Sequence, residues 1–431
     1  MTNITQPLIL LGPLAVLEVV EGPHCGVRHE VTGHETFMVG RAATANLRIE
    51  NDPHFSRHHF LLEFNPPRCY LRDLGSSNET VVNDVTVGEC DLKDGDMISV
   101  GKTRIQVHLP KGDEPTLGQT PEQRSGGAPP ASALPGTIQA YDAAGLMVPS
   151  SESDVTVPGY EVVRLLGRGG MGAVYQARQK VSGRDVALKI VLPEVSSSER
   201  SKSLFLREVS VLSQVNHPRI VRFQEMGMAQ GQFYFVMDYV ETVDLLALLA
   251  KRSLNTRVKV ACNLACQVLD GLSYAHGLGF IHRDIKPANI LVSHEGKELR
   301  AKIADFGLAK NFENAGCSGM TFDGQLLGTL PFMAPEQMLN VRYAKPSVDI
   351  YSVAATLYYW LAGQYPHDFS GRKDRIVVML EDEPTPITRH CPGLNPGLAG
   401  VLRRALARSP ADRIQTATAF GSAIRESIGE T

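Results

Sequence analysis

The residues best suited to chemistry begin with a glycine run and a lysine. Gly167-Arg168-Gly169-Gly170-Met171-Gly172 has the spacing G-x-G-x-x-G, and Val174 follows. Without a Cβ, glycines let backbone N–H groups come close to a phosphate. Alone the spacing is weak, because it also occurs in dinucleotide folds and in ordinary turns. A dinucleotide site requires the loop to open a helix, with an acidic residue about 20 positions on. Here the loop runs into Ala173-Val174-Tyr175-Gln176-Ala177, which reads as a strand, and Val186-Ala187-Leu188-Lys189 reads as the next. A lone lysine after an apolar run is usually a surface residue. On the strand after a glycine hairpin it is better placed to meet phosphates.

Farther on, His282-Arg283-Asp284-Ile285-Lys286-Pro287-Ala288-Asn289 gathers a carboxylate, an ammonium and an amide, and Asp305-Phe306-Gly307 follows the apolar pair Ile303-Ala304. Taken with the glycine hairpin, these segments resemble the protein kinase family, over about 158 to 428. The resemblance implies transfer of the γ-phosphoryl of Mg-ATP to protein Ser or Thr hydroxyls, with Mn²⁺ as the alternative cation. It makes Asp284 the carboxylate near the attacking hydroxyl and Lys286 the cation near the transferring phosphoryl. Asn289 and Asp305 become the metal ligands, of the oxygen type that Mg²⁺ prefers. Lys189 would hold the α/β-phosphates, with Glu208 as its ion-pair partner. Glu208 taken alone could equally be a solvated helix carboxylate.

The implied ATP cleft has Leu166, Gly167, Gly169, Gly170 and Gly172 in its glycine loop, and Val174 and Ala187 against adenine. Met237, Asp238 and Val240 form its hinge. Ala334-Pro335-Glu336 closes the segment after Asp305, Asp349 is expected to brace the catalytic loop, and Arg413 to pair with Glu336. Lys286 and Thr329 point to the Ser/Thr class, and the MAPEQ string resembles bacterial kinases of eukaryotic type. Two positions depart from the family, Ala354 for a glycine and Leu330 for a proline, neither among the reacting groups. Arg283 is of the kind that pairs with a phosphate on the activation segment. Ser318 and Thr321 are the candidate autophosphorylation sites, and Thr329 reads as structural.

A second constellation lies near the N-terminus: Gly40-Arg41, Ser56-Arg57-His58-His59 and Gly75-Ser76-Ser77-Asn78, on predicted loops. An Arg, a Ser hydroxyl and an Asn amide suit a dianion beside a peptide backbone. Their order resembles the forkhead-associated domain, which implies binding of phosphothreonine peptides. On that likeness Arg41 and Ser56 take the phosphate with Ser77 close by, Arg57 and Asn78 contact the peptide, and His59 supports the loop. Glu79 stands where the family usually has glycine.

The elements that must carry these residues fall into three parts. Residues 12 to 110 alternate short apolar runs with turn residues, which predicts an all-β sandwich whose core face includes Ile105, Val107 and Leu109. Residues 111 to 157 are rich in Pro, Gly, Ser, Ala, Gln and Thr and read as a flexible linker. Such a linker of roughly 45 residues spans about 35–40 Å. Residues 158 to 428 are expected to form the bilobal α+β kinase fold, with the small lobe over 158–240 and the large lobe over 241–428. A multidomain architecture suits a chain of 431 residues.

The composition, 43% hydrophobic and 21% charged with net charge -3, fits an ordinary globular protein. It gives no support to nucleic acid or an anionic membrane as partner. No apolar run reads as a membrane span. The 7 cysteines show no zinc spacing and favour a reducing, cytoplasmic setting. Expected partners are Ser/Thr protein substrates and phosphothreonine proteins, or the chain's own phosphorylated linker or activation segment. A homodimer stays open. Two other classes compete: a scaffold with an eroded kinase, which predicts loss of Lys189, Asp284, Asn289 or Asp305, and a small-molecule kinase. All four residues are present.

Overall fold

The computed structural model describes residues 15–31, 35–65, 68–109, 156–169, 172–191, 215–230, 232–306, 329–339 and 344–429. The N-terminal part is a sandwich of two sheets. One has the order β2 (Arg28–Val31), β1 (Ala15–Glu21), β11 (Thr103–His108), β10 (Met97–Val100), β7 (Thr80–Val82) and β8 (Val85–Val87). The other runs β4 (Leu47–Arg48), β3 (Glu35–Gly40), β5 (Phe60–Asn65), β6 (Arg68–Asp73) and β9 (Glu89–Leu92). Period-two alternation builds the core between them. Ala15, Leu17 and Val19 of β1 meet Phe37 and Val39 of β3, Phe60, Leu62 and Phe64 of β5, and Ile105 and Val107 of β11. Leu109 packs only partly against this core.

Strands β3 and β5 break the alternation. Met38 and Leu61 point away from the sandwich core, yet they are 0% and 2% exposed. Together with Leu74 they join the apolar cluster of the C-terminal part, against which β3 packs. The sandwich is therefore docked on the rest of the chain through this face, a contact not anticipated from the sequence.

The second part opens with an antiparallel sheet, β12 (Tyr160–Gly169), β13 (Gly172–Gln179), β14 (Asp185–Val191), β16 (Gln232–Asp238) and β15 (Phe223–Ala229), in that spatial order. Val157, assigned to the linker from composition, is buried with Tyr160, Ala177, Val186, Leu188 and Val236 in the small core of this sheet. Its carbonyl accepts the Tyr160 N–H at 3.1 Å at the start of the first strand, so the linker ends before it.

Helices dominate the large lobe: α1 (Leu245–Ala250), α2 (Leu254–Gly277), α3 (Pro335–Leu339), α4 (Ser347–Ala362), α5 (Arg375–Glu381), α6 (Pro396–Ala405) and α7 (Ala417–Ser427). Asp244, Ser253, Asp374, Asn395 and Thr416 cap helices by accepting backbone N–H groups of the first turn. Helix α4 is buried on every side, Ala354 included, as expected of a central helix without a polar stripe. A hairpin of β17 (Ile290–Glu295) and β18 (Glu298–Ile303) carries the catalytic octet on one end and Asp305 on the other.

Candidate functional site

The glycine run sits at the tip of the β12–β13 hairpin, where Gly167 pairs with Val174 and Gly169 with Gly172. Gly172 has φ +143°, and a Cβ there would lie 1.9 Å from the carbonyl oxygen of Ile190, so only glycine fits. Lys189 on β14 lies opposite Val174 on β13, and Ala187 lies opposite Met237 on β16. The exposed apolar side chain of Leu166 stands at the rim of the same hairpin. The Asp238 carboxylate accepts a hydrogen bond from Gln224 Nε2 at 2.8 Å, and its backbone N–H donates to the Arg222 carbonyl at 3.0 Å. Gly170 and Glu208 lie outside the described residues.

Lys189 is buried, and its Nζ is 2.9 Å from Asp305 Oδ1. Asp305 is held at φ +54°, a conformation that non-glycine residues rarely adopt. Nearby, Asp284 Oδ2 is 3.1 Å from Lys286 Nζ and accepts from Asn289 Nδ2 at 2.9 Å. With Nδ2 also donating to the Asp284 carbonyl at 2.7 Å, the amide offers Oδ1 on its other side. Lys286 Nζ donates to Thr329 Oγ1 at 2.7 Å. One carboxylate, one ammonium, one hydroxyl and one amide thus form a single cluster.

The frame that holds this cluster is buried. Asp349 on α4 is fully buried and accepts from the backbone N–H of His282 at 2.8 Å and of Arg283 at 2.7 Å, and from His276 Nε2 at 2.8 Å. Burial alone would push the Asp349 carboxyl up, but these bonds and the facing histidines hold it below its ordinary value. His282 donates from Nε2 to the Ala304 carbonyl and accepts the Asp284 N–H on Nδ1, and its ring packs edge-on to Phe306. Arg283 stands at φ +67°. Glu336 and Arg413 form a two-pronged ion pair at 2.5 and 2.7 Å, with the guanidinium also over the Tyr351 ring. Both structural roles expected of Asp349 and Arg413 are met by contacts.

In the sandwich, the three loops converge. Ser56 Oγ accepts from the Ser77 N–H at 3.0 Å, and Asn78 Nδ2 donates to the His54 carbonyl at 2.9 Å. Arg41 Nε donates to the Phe55 carbonyl, and its backbone N–H to the Ser56 carbonyl. Gly40 lets the turn close, since a Cβ there would meet the Arg57 carbonyl oxygen at 2.2 Å. His59 is buried, accepts the Ser56 N–H on Nδ1 at 3.0 Å, and is pushed down to about 4 by burial. Glu79 accepts from Thr86 on β8 at 3.1 Å and has no positive φ, so glycine is not required there.

A model of the protein kinase domain matches residues 160–422, more than half of the chain. The chain belongs to the protein kinase family. In this kinase an FHA domain, matched over residues 37–101, precedes the catalytic domain. Serine/threonine-protein kinase pkn3 of Myxococcus xanthus is 35% identical over 266 residues, covering 61% of this chain and 48% of that relative. PknF of Mycobacterium tuberculosis (strain ATCC 25618 / H37Rv) is 34% identical over 276 residues, covering 64% of this chain and 57% of PknF. The chain therefore spans about half the length of the curated relatives it matches. A crystal structure of Rad53 1–466 in complex with AMP-PNP superposes with TM-score 0.50 at 21% identity, covering 94% of this chain and 98% of that one. That likeness is one of fold.

Several groups in the kinase's site went unread in the sequence. His276 and Gln337, which donates to the Arg283 carbonyl at 3.0 Å, have no local spacing signal, while Thr329, read beside Lys286 as a structural marker of the Ser/Thr class, proves to hold its ammonium. Asp52 is another: buried, it accepts from Thr103 Oγ1 and the Lys102 N–H and pins the loop that carries Ser56. The expected activation-segment sites Ser318 and Thr321 lie outside the described residues. Among the described residues, no helix is long and apolar enough to cross a membrane.

Proposed function

We propose that the chain transfers the γ-phosphoryl of Mg-ATP to Ser or Thr hydroxyls of protein substrates. The observation that carries this is the cluster of Asp284, Lys286, Asn289 and Thr329 beside the Lys189–Asp305 pair. The donor set fits the implied ligands: a carboxylate and an amide oxygen for a hard divalent cation, and an ammonium beside a glycine hairpin for phosphates. The cation, when bound, neutralises charge developing on the phosphoryl oxygens.

The remaining chemistry belongs to the chain. Lys189 holds the α/β-phosphates, and the glycine hairpin covers them with N–H groups. Asp284 orients the acceptor hydroxyl and takes up its proton as the new O–P bond forms and the bond from the γ-phosphorus to the β–γ bridging oxygen breaks, with ADP leaving. Lys286 neutralises the transferring group while Thr329 fixes its ammonium. Leu166, Val174, Ala187 and Met237 enclose the base, with the Asp238–Val240 backbone as hinge. Arg283 orders the activation segment once Ser318 or Thr321 is phosphorylated. Labelled-phosphate transfer from Mg-ATP to a Ser/Thr protein tests the proposal. Activity that survives Asp284→Asn at the wild-type rate sinks it, and replacing Mg²⁺ by Mn²⁺ in the same assay ranks the two cations.

The FHA domain is proposed to bind phosphothreonine peptides, with Arg41, Ser56 and Ser77 on the phosphate and Arg57 and Asn78 on the chain. The convergence of Ser56 and Ser77 at 3.0 Å supports this. Binding of a phosphothreonine peptide that Arg41→Ala does not weaken rules it out. A reducing cytoplasmic setting remains our reading of the cysteine usage, and self-association through phosphorylated segments our reading of the partners.

A further inference from the structure

The face that buries Met38 and Leu61 ends in charges. Arg72 Nη2 on β6 donates to Asp374 Oδ2 at 3.0 Å, while Asp374 Oδ1 caps α5 by accepting the Ile376 N–H. At the other end of α5, Glu381 Oε1 is 3.0 Å from His58 Nδ1 and 3.9 Å from Arg57 Nε. His58 is buried and uses both ring nitrogens: Nδ1–H donates to Glu381, and Nε2 accepts from the Thr44 hydroxyl at 3.0 Å. Asn46 Nδ2 donates to the carbonyl of Leu339, the last residue of α3. The FHA domain thus holds α5 at both ends and the exit of α3, using apolar, ionic and neutral contacts together.

Helices α3 and α5 pack on each other, and α5 also packs on the turn Leu330–Phe332 that follows Thr329. Helix α3 begins in Ala334-Pro335-Glu336, a few residues past Thr329. Arg375, the first residue of α5, and Pro331 both line a cavity of about 510 Å³. Pro331 is two residues from Thr329, which touches Lys286. What moves α5 therefore reaches the segment that an incoming protein substrate meets.

The same four-residue turn serves both partners of the FHA domain. Ser56 faces Ser77, on the side proposed for the phosphate, while Arg57 and His58 face Glu381. The turn is packed between these ends: Gly40 lies close against the Arg57 carbonyl, and buried His59 accepts the Ser56 N–H. A phosphothreonine peptide brings a dianion toward the Glu381 carboxylate and claims Arg57 for its own chain. Both effects oppose the contact with α5.

We propose that the FHA domain is a docked regulator of the catalytic domain, and that phosphothreonine binding at Arg41 and Ser56 competes with docking on α5. This rests on the peptide-binding reading of that domain. Occupancy loosens α5 and changes protein-substrate affinity, and by thermodynamic reciprocity docking weakens peptide binding by the same factor.

A charge exchange on the full chain tests it, read by anisotropy of a labelled phosphothreonine peptide. Arg72→Asp and Asp374→Arg each break the bridge, and each should tighten peptide binding by about fivefold. The double exchange should return the affinity toward wild type. Asp374→Arg also removes the α5 cap, which weakens docking in the same direction, so Arg72→Asp, which leaves the cap intact, is the clean arm. Simple electrostatics on the peptide predicts opposite shifts for the two variants, because one adds negative and the other positive charge; that result overturns the proposal, as does equal affinity throughout. Hydrogen exchange of amides 376–381 gives the second measurement. It should rise when peptide is added to wild type and stay unchanged in Arg41→Ala. If no phosphothreonine peptide binds wild type or any variant, the peptide-binding reading fails and the competition falls with it. Equal binding by all of them overturns the competition alone.

Discussion

Removing the Asp349 carboxylate is the sharpest test of how the catalytic loop is held. Its two oxygens satisfy the N–H groups of His282 and Arg283 and the ring of His276, all from a fully buried site. Asp349→Ala leaves two backbone donors without acceptors, each costing about 1–3 kcal/mol. Loss of one member of a buried ionic cluster costs about 3–5 kcal/mol. We expect a loss of about 4 kcal/mol, seen as a fall in Tm of the catalytic domain on the order of 10 °C. Because His282 and Arg283 immediately precede Asp284, a loop displaced by ~1 Å should also cut kcat about 100-fold. Asp349→Asn should lose less, since Oδ1 still accepts from Arg283 while Nδ2 faces the His282 donor. The folded-state pKa of Asp349 lies below the ordinary 3.8, so its contribution is present above 3.8 and lost as pH falls through the lower folded value. The Asn variant should lack that acid sensitivity. Thermal unfolding and steady-state kinetics on the three proteins decide it. Wild-type Tm and kcat in Asp349→Ala would refute the reasoning.

Three further outcomes are expected. Gly172→Ala places a methyl 1.9 Å from the Ile190 carbonyl at a left-handed φ. It should weaken ATP binding at least tenfold, measured by titration with a fluorescent ATP analogue, while the FHA domain still binds its peptide. Thr329→Val removes the hydroxyl from Lys286, and a hydrogen bond to a charged group of about 1.5–3 kcal/mol predicts a 10- to 100-fold fall in kcat. Thr329→Ser should keep most of the activity in the same phosphate-transfer assay. His59 takes up a proton near 4 when folded and near 6.5 when unfolded. Between those values the unfolded chain binds more protons, so the FHA domain should lose up to about 3 kcal/mol as pH falls from 6.5 to 4. The urea midpoint of its unfolding transition, compared with a His59→Asn protein that lacks the titrating ring, reads this directly.

Much of the catalytic site was legible in the sequence because its chemistry demands particular groups at short spacing. Asp284, Lys286 and Asn289 fall within six positions of one loop, and a single turn suffices to bring them together. The FHA loops were legible for a weaker reason: Arg41, Ser56 and Ser77 are common loop residues, informative only in order. The strand pattern of the sandwich followed from alternation. The docking face also left a trace. Phe37-Met38-Val39 and Phe60-Leu61-Leu62 are apolar at consecutive positions, more than a sheet with one solvated face needs. That signal says a second face is covered, without saying by what.

The sequence by itself determined that a carboxylate, an ammonium and an amide fall within six positions, the groups that its resemblance to protein kinases implies for phosphoryl transfer. It also determined that two folded units are present, because apolar periodicity shifts from two to about 3.6 across a stretch that cannot build a core. Only the tertiary structure decided who holds whom. His276 and Asp349 are 73 residues apart, and His58 and Glu381 are 323 apart. Contacts at such separation arise from packing whole elements, and no local spacing encodes them. For the same reason Lys189 is seen facing Asp305, and the FHA domain is seen seated on α3 and α5.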